Sequence, residues 1–133
     1  MDGNDTAAQA ATNSPHGTAA LIIIHDPPYG SERPYQALRL ADALLKVEDE
    51  LDLTVYLTAD GVICAKRGQR TPQGYYNIER MLRLILRRAC VLACHTCLEA
   101  RGLNGTDLVD GVVEARLGDL AQLTLEVDKV LIY

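Results

Sequence analysis

Two cysteines in the run Cys94-His95-Thr96-Cys97 are the residues of this chain best suited to carry chemistry. They follow an apolar stretch, Ala89 to Ala93 (ACVLA), so the pattern predicts a strand passing directly into a short helix over Cys94 to Gly102. A helix N-terminus presents unpaired N–H groups and a partial positive charge, both of which favour a thiolate. A thiolate is the nucleophile of persulfide, disulfide and metal chemistry. Arg101 would add positive charge by folding back, and Gly102 suits the C′ position that ends such a helix. His95 either tunes the thiols or points to solvent.

The other cysteines read differently. Cys90 lies four residues before Cys94, on the same face of a strand, and is either a third thiol near the pair or, as a small residue in an apolar run, a core residue, which is the expectation. Cys64 stands apart and reads as structural. A closed zinc site needs four ligands, and a single C-x-x-C without a second Cys or His pair at zinc-finger spacing does not supply them. Zinc would have to recruit Cys90, His25 or another subunit, so no metal and no cofactor is expected. Four cysteines in an oxidising compartment would instead form two bridges. The opening residues, MDGNDTAAQAATNSPHG, have neither a basic nor an apolar signal region, which points to the cytoplasm and reduced thiols.

Such thiols need elements to hold them. Residues 1–18 lack periodicity and are expected to form a disordered tail, which includes His16, with residues 19–133 a single domain. Ala19 to His25 (AALIIIH) reads as a buried strand closed by Asp26, Pro27 and Pro28. Ser31 is placed to cap a helix over Tyr35 to Asp49, with Pro34 early enough to be tolerated. Leu53 to Leu57 is a second strand, followed by the turn Ala59-Asp60-Gly61, a short helix over Val62 to Lys66, and a loop over Arg67 to Tyr76. Asn77 caps a helix bearing Ile78, Met81, Leu82, Ile85 and Leu86 at helical spacing. Val112 to Glu114, a helix over Leu117 to Val127, and the strand Lys129 to Tyr133 complete the chain. Strands alternating with helices give βαβ units, hence an α/β fold with a mostly parallel sheet between helices. In such sheets chemistry sits beyond the carboxyl ends of the strands. That rule singles out the loop after Ile24, the turn after Leu57, the Arg67–Tyr76 loop and the Cys94–Cys97 segment.

Composition fits this architecture. The 133 residues are 48% hydrophobic and 23% charged, with no Phe or Trp, so the core is built from small aliphatic side chains. No run approaches the roughly 20 apolar residues needed to span a bilayer. The net charge of −5 weighs against a general nucleic-acid or anionic-membrane binder. It conceals an asymmetry, because Cys64 to Arg101 carries eight basic and two acidic residues. That segment reads as a solvated helix face or as a site for an anion or acidic partner, and it lacks the interleaved aromatics of an RNA-binding surface.

Several ordered motifs carry a resemblance: PYGSE at Pro28, LRLADAL at Leu38, RGQ at Arg67, GYYNIERML at Gly74, the CHTC…RG segment, DGV at Asp110 and LAQLTLEVDKVL at Leu120. With them the sequence resembles the DsrE/DsrF-like family of small sulfur-relay proteins, and most of all its YchN-like branch. The resemblance implies a three-layer αβα domain with about five strands, assembled as a homotrimer or homohexamer. It also implies a persulfide-bearing cysteine that corresponds to Cys94, together with sulfur donor and acceptor proteins. Cys97 departs from the relay pattern by adding a second thiol.

The leading expectation is a sulfur carrier or sulfurtransferase using Cys94, with Cys97 tuning or releasing the sulfur. His25, Tyr29, Gly30, Ser31, Gln69, Tyr75, Asn77, His95, Thr96 and Arg101 are expected to support or line its pocket. A dithiol oxidoreductase at the same C-x-x-C, or a non-enzymatic module binding an anion, small molecule or protein, are the alternatives.

Overall fold

The computed structural model describes residues 18–133, so the expected tail lies, apart from Thr18, outside the described residues, as does His16. Five strands form one sheet: β1 (Ala19–Ile24), β2 (Asp52–Leu57), β3 (Cys90–Cys94), β4 (Val113–Ala115) and β5 (Lys129–Ile132). Their spatial order is β4-β3-β2-β1-β5, and every pairing is parallel. β1 is buried along its whole length, which is why AALIII reads as a continuous apolar run and not as an alternation.

The helices are α1 (Arg33–Val47), α2 (Ile78–Ile85), α3 (His95–Glu99) and α4 (Leu117–Glu126), with a 3₁₀ segment over Ala59–Ala65. On one face of the sheet Ile22, Ile24, Val55 and Val91 pack with Leu38 of α1, Val62 of the 3₁₀ segment, Leu82 of α2 and Leu98 of α3. Each such buried aliphatic side chain contributes about 1.5–3 kcal/mol. The opposite face holds Leu21, Ile23, Tyr56 and Ala115, covered by Leu120 and Leu123 of α4. This makes three layers of unequal depth. No residue of α4 is fully buried, and Val113, Leu117, Leu125 and Ile132 are more than half exposed.

Helix α1 begins two residues earlier than the pattern predicts. Glu32 occupies the N-cap without a side-chain bond, while Ser31 Oγ accepts from the Arg33 N–H at 3.2 Å and donates to Asp26 at 2.7 Å. Pro34 then sits in the first turn, where its missing N–H costs nothing. Asn77 does cap α2, its Oδ1 accepting from the Arg80 N–H at 2.9 Å. The short helix expected over Val62 to Lys66 is a 3₁₀ segment that starts at Ala59. A Schellman closure ends α3: Gly102, at φ +68°, donates to the Glu99 carbonyl and Leu103 to that of Leu98.

Cys90 corrects the sequence expectation, because it is exposed and not in the core. It begins β3 opposite Thr54, and the apolar cluster under α4 reaches Leu92 and Cys94 but stops short of it. Cys64 is buried in the larger cluster as expected, and burial pushes its thiol up to about 12.

Candidate functional site

The carboxyl ends of β2 and β3 lie side by side, with Leu57 paired to Ala93, so the residues that follow each strand meet. After β3 the chain turns at Cys94 straight into α3, which puts Cys97 in the first turn of that helix. After β2, Thr58 is still extended, and its N–H donates to the Ile24 carbonyl at 3.0 Å. Ala59 then adopts a left-handed conformation at φ +53°, alone among the described non-glycine residues. Such a conformation costs about 1–3 kcal/mol and persists only where the surroundings enforce it.

The enforcement is visible at Gly61. A Cβ there would collide with the Ile24 carbonyl oxygen and lie 2.8 Å from its carbon, so the 3₁₀ segment rests directly on the end of β1. With the turn pinned in this way, the Ala59 N–H donates to Cys97 Sγ at 3.2 Å, and Thr58 Oγ1 lies 3.6 Å from the same sulfur.

Arg101 folds back as the sequence suggested. Its Nη1 donates to the Cys97 carbonyl at 2.9 Å, and its Nε and Nη2 donate to Asp60 Oδ1 at 3.1 and 2.9 Å. The guanidinium thus ties α3 to the turn after β2. Burial alone would raise the Cys97 thiol. The Thr58 hydroxyl, the Cys94 thiol, the Ala59 N–H and the Arg101 charge together outweigh it and hold Cys97 below the usual thiol range.

Cys94, also half-buried, pairs with Ala115 of β4 and packs against the second face of the sheet. The buried Tyr56 hydroxyl lies beside its thiol and donates to the Arg116 carbonyl at 3.0 Å. Burial, reinforced by Cys94, pushes the Tyr56 phenol up to about 12. All four cysteines are free thiols. His95 is turned away from the sulfurs: its Nδ1 lies 2.8 Å from Glu114 and its Nε2 3.9 Å from Glu99. No cluster of three or more metal-ligating side chains occurs among the described residues.

The remaining expected pocket residues gather elsewhere. Tyr29 donates to Gln69 Oε1 at 2.6 Å and accepts from the Ile78 N–H, so it fastens the Arg67–Tyr76 loop to the start of α2. Gln69 Nε2 donates to the Cys64 and Lys66 carbonyls, and Asn77 Nδ2 to the Gln69 carbonyl. Gly30, Ser31 and Tyr75 border a separate depression of about 330 Å³ with Glu32 and Tyr76, where Tyr75 stacks on Tyr76 at 4.7 Å. His25 sits at the end of β1 with Nδ1 3.2 Å from the Tyr133 carbonyl. Among the described residues no hydrogen bond links His25, Tyr29, Gly30, Ser31, Gln69, Tyr75 or Asn77 to either thiol of the C-x-x-C. Thr96 contributes its carbonyl to α3.

Much of the basic segment is also committed internally. Arg83 pairs with the buried Glu79, Arg67 with Asp110 and Arg101 with Asp60, while Arg88 donates to the Leu45 and Asp49 carbonyls. Thr58, Ala59, Asp60 and Tyr56 belong to the site without having been singled out individually. The rule of strand carboxyl ends selected the turn after Leu57, but an N–H aimed by backbone conformation leaves no mark in residue type.

Comparison with known proteins places these features. The DsrE/DsrF-like family profile matches residues 18–133. Protein YchN of Escherichia coli K12 is 42% identical over 114 residues, covering 85% of this chain and 97% of that protein. An uncharacterized protein of Methanopyrus kandleri is 36% identical over 121 residues, covering 90% and 98%. The crystal structure of the E. coli ychN protein superposes with a TM-score of 0.82 at 42% identity, covering 87% of this chain and 99% of that one. A protein of unknown function from Methanobacterium thermoautotrophicum shares the fold at a TM-score of 0.70 and 17% identity, covering 86% and 97%.

Proposed function

Because the chain belongs to the DsrE/DsrF-like family, we propose that it carries sulfane sulfur as a persulfide on the Cys94–Cys97 pair. The observation that carries this reading is the pair itself: two free, half-buried thiols at the carboxyl end of β3, one of them receiving a backbone N–H and flanked by an arginine. In the first step a thiolate of the pair attacks the outer sulfur of a donor persulfide. A new S–S bond forms, the donor S–S bond breaks, and the donor leaves as a thiolate. Cys94 is the carrier from which the sulfur departs, and an acceptor thiolate takes it by the same exchange. No net oxidation occurs and no cofactor is required. The protein acts in the cytoplasm, where reduced thiols persist, with donor and acceptor proteins as partners.

The exposed apolar side chains of Val113, Leu117, Leu125 and Ile132 support a homo-oligomer, a trimer or hexamer, that covers the thin α4 face. No helix of the described residues is long and apolar enough to cross a membrane.

Intact mass spectrometry of the full chain after exposure to an inorganic polysulfide tests the function. In a Cys90→Ser background, which removes the exposed thiol, the expected result is an added sulfur atom, removed by dithiothreitol and absent when Cys94→Ser and Cys97→Ser are added as a double variant. A wild-type chain that takes up no sulfur, or a double variant that still does, overturns it.

The placement of Cys94 at the end of β3 and of Cys97 in the first turn of α3 favours one second reading, a dithiol oxidoreductase cycling through a Cys94–Cys97 disulfide. Peptide mapping after mild oxidation that never recovers this disulfide removes it.

A further inference from the structure

The two thiols of the C-x-x-C stand in unlike surroundings. Cys97 Sγ receives the Ala59 N–H at 3.2 Å and has the Thr58 hydroxyl 3.6 Å away, and the Arg101 guanidinium is fixed on its own carbonyl. Among the described residues no backbone N–H donates to Cys94 Sγ. The Tyr56 hydroxyl beside it spends its proton on the Arg116 carbonyl. Aiming the Ala59 N–H at Cys97 requires the left-handed backbone at that residue, a cost concentrated on one sulfur.

We infer that Cys97, and not Cys94, is the thiol that first attacks the sulfur donor, with Thr58 as the residue that positions and polarises it. This rests on the sulfur-carrier reading and adds an order to it. The Cys97 thiolate attacks the outer sulfur of the donor persulfide, the Cys97 Sγ–S bond forms, and the donor departs as a thiolate. Cys94, at the N-cap of the helix whose first turn holds Cys97, then attacks that same outer sulfur. The Cys94 Sγ–S bond forms, the Cys97 Sγ–S bond breaks, and the Cys94 proton passes to the Cys97 sulfur. The sulfur has moved to Cys94 without any change of oxidation state. Donor hydrogen bonds and nearby positive charge are the means by which proteins raise the thiolate fraction of a cysteine, which supports the direction of this transfer. The Cys97 thiol, held below the usual thiol range, agrees with it.

Two measurements on the full chain test the order separately from the function. In the first, single-turnover uptake from polysulfide is compared between Cys94→Ser and Cys97→Ser, each made in a Cys90→Ser background because Cys90 is exposed. Cys94→Ser is expected to retain uptake, slowed by no more than about threefold for loss of the Cys94 thiol, and to hold the sulfur on Cys97, whereas Cys97→Ser slows by about tenfold or more as the thiolate fraction of the attacking group falls. The reverse pattern overturns the inference. In the second, iodoacetamide labelling is followed by peptide mapping across a pH series. Cys97 is expected to label about threefold or more faster than Cys94 near neutral pH. Thr58→Val is expected to move the pH midpoint of Cys97 labelling upward and leave that of Cys94 in place. Equal or faster labelling of Cys94, or a Thr58→Val profile identical to wild type, overturns the inference even if the wild-type chain takes up no sulfur. Failure of wild-type uptake alone removes the sulfur-carrier function and leaves the labelling order to decide which thiol is the nucleophile.

Discussion

Gly61→Ala is the most informative single perturbation of the framework beneath the thiols. The new methyl group would collide with the Ile24 carbonyl oxygen, 2.8 Å from its carbon and 3.3 Å from the His25 nitrogen. All three atoms are backbone, so no rotamer change relieves the overlap; either the 3₁₀ segment or the end of β1 must move by about an ångström. A shift of that size breaks or strains the Thr58 N–H to Ile24 carbonyl bond at 3.0 Å and the Gly61 N–H to Thr58 carbonyl bond at 2.8 Å. Two backbone hydrogen bonds at about 1 kcal/mol each, with about 1–3 kcal/mol of overpacking, give a loss of about 3–5 kcal/mol. For a chain of this size that lowers the melting temperature by roughly 12–20 °C. The same shift pulls the Ala59 N–H away from Cys97 Sγ, so labelling of Cys97 at neutral pH should slow in parallel. Gly118→Ala is the matched control. Nothing lies within 4 Å of a Cβ there, and the residue sits in α4, so alanine should be neutral or stabilise by about 0.4–1 kcal/mol. Thermal unfolding of both variants by circular dichroism decides the matter. A Gly61→Ala protein within 1 kcal/mol of wild type would mean that the turn is not pressed against β1 and that the strain at Ala59 is not enforced as argued.

Other consequences can be checked with similar economy. Glu79 is buried with Arg83 and the Gly68 and Gln69 N–H groups around its carboxylate. Burial opposes its ionisation, but these partners prevail and hold it below the usual carboxylate range. A depressed carboxylate contributes stability that is complete above its unfolded-state value and lost as pH falls through the folded one. Denaturant midpoints should therefore drop below about pH 4.5, and Glu79→Gln should flatten that limb while costing about 1.5–3 kcal/mol at neutral pH. Tyr56, raised to about 12, should keep its own phenol largely protonated at pH 11 in an ultraviolet titration of the native protein. Tyr56→Phe should remove that late-titrating phenol and cost about 1 kcal/mol. Cys64, raised to about 12 by burial, should resist alkylation at pH 8 until the chain is unfolded, while the exposed Cys90 reacts; rapid native labelling of Cys64 would contradict its burial.

The sheet was legible because its signals are local. AALIII is apolar over its whole length, Leu53 to Leu57 is buried and interrupted only by Thr54, Asn77 stands ahead of a helical stripe, and Gly102 follows a helix that it closes. The position of the C-x-x-C at a strand end was legible for the same reason. What escaped depends on contacts between distant segments. Cys90 looks like any residue of an apolar run until one sees where the cover of α4 stops. Tyr29, Gln69 and Asn77 have the polar groups of a binding site, yet they spend them on one another and on the loop backbone. Ala59 carries no side-chain chemistry at all, and its part is played by a main-chain N–H.

The separation of the contacting segments along the chain has a temporal consequence. The Ala59 to Cys97 bond joins residues 38 apart, and the Arg101 to Asp60 pair residues 41 apart, across two parallel strands that only a crossover connection can bring together. A nascent chain with β3 still unpaired has the same cysteines but not the surroundings that distinguish them, so it offers two equivalent thiols of ordinary reactivity. The selectivity of Cys97 is thus acquired at the moment β3 docks on β2. A pulse of thiol reagent during refolding would register that docking as a divergence between two labelling rates that begin equal.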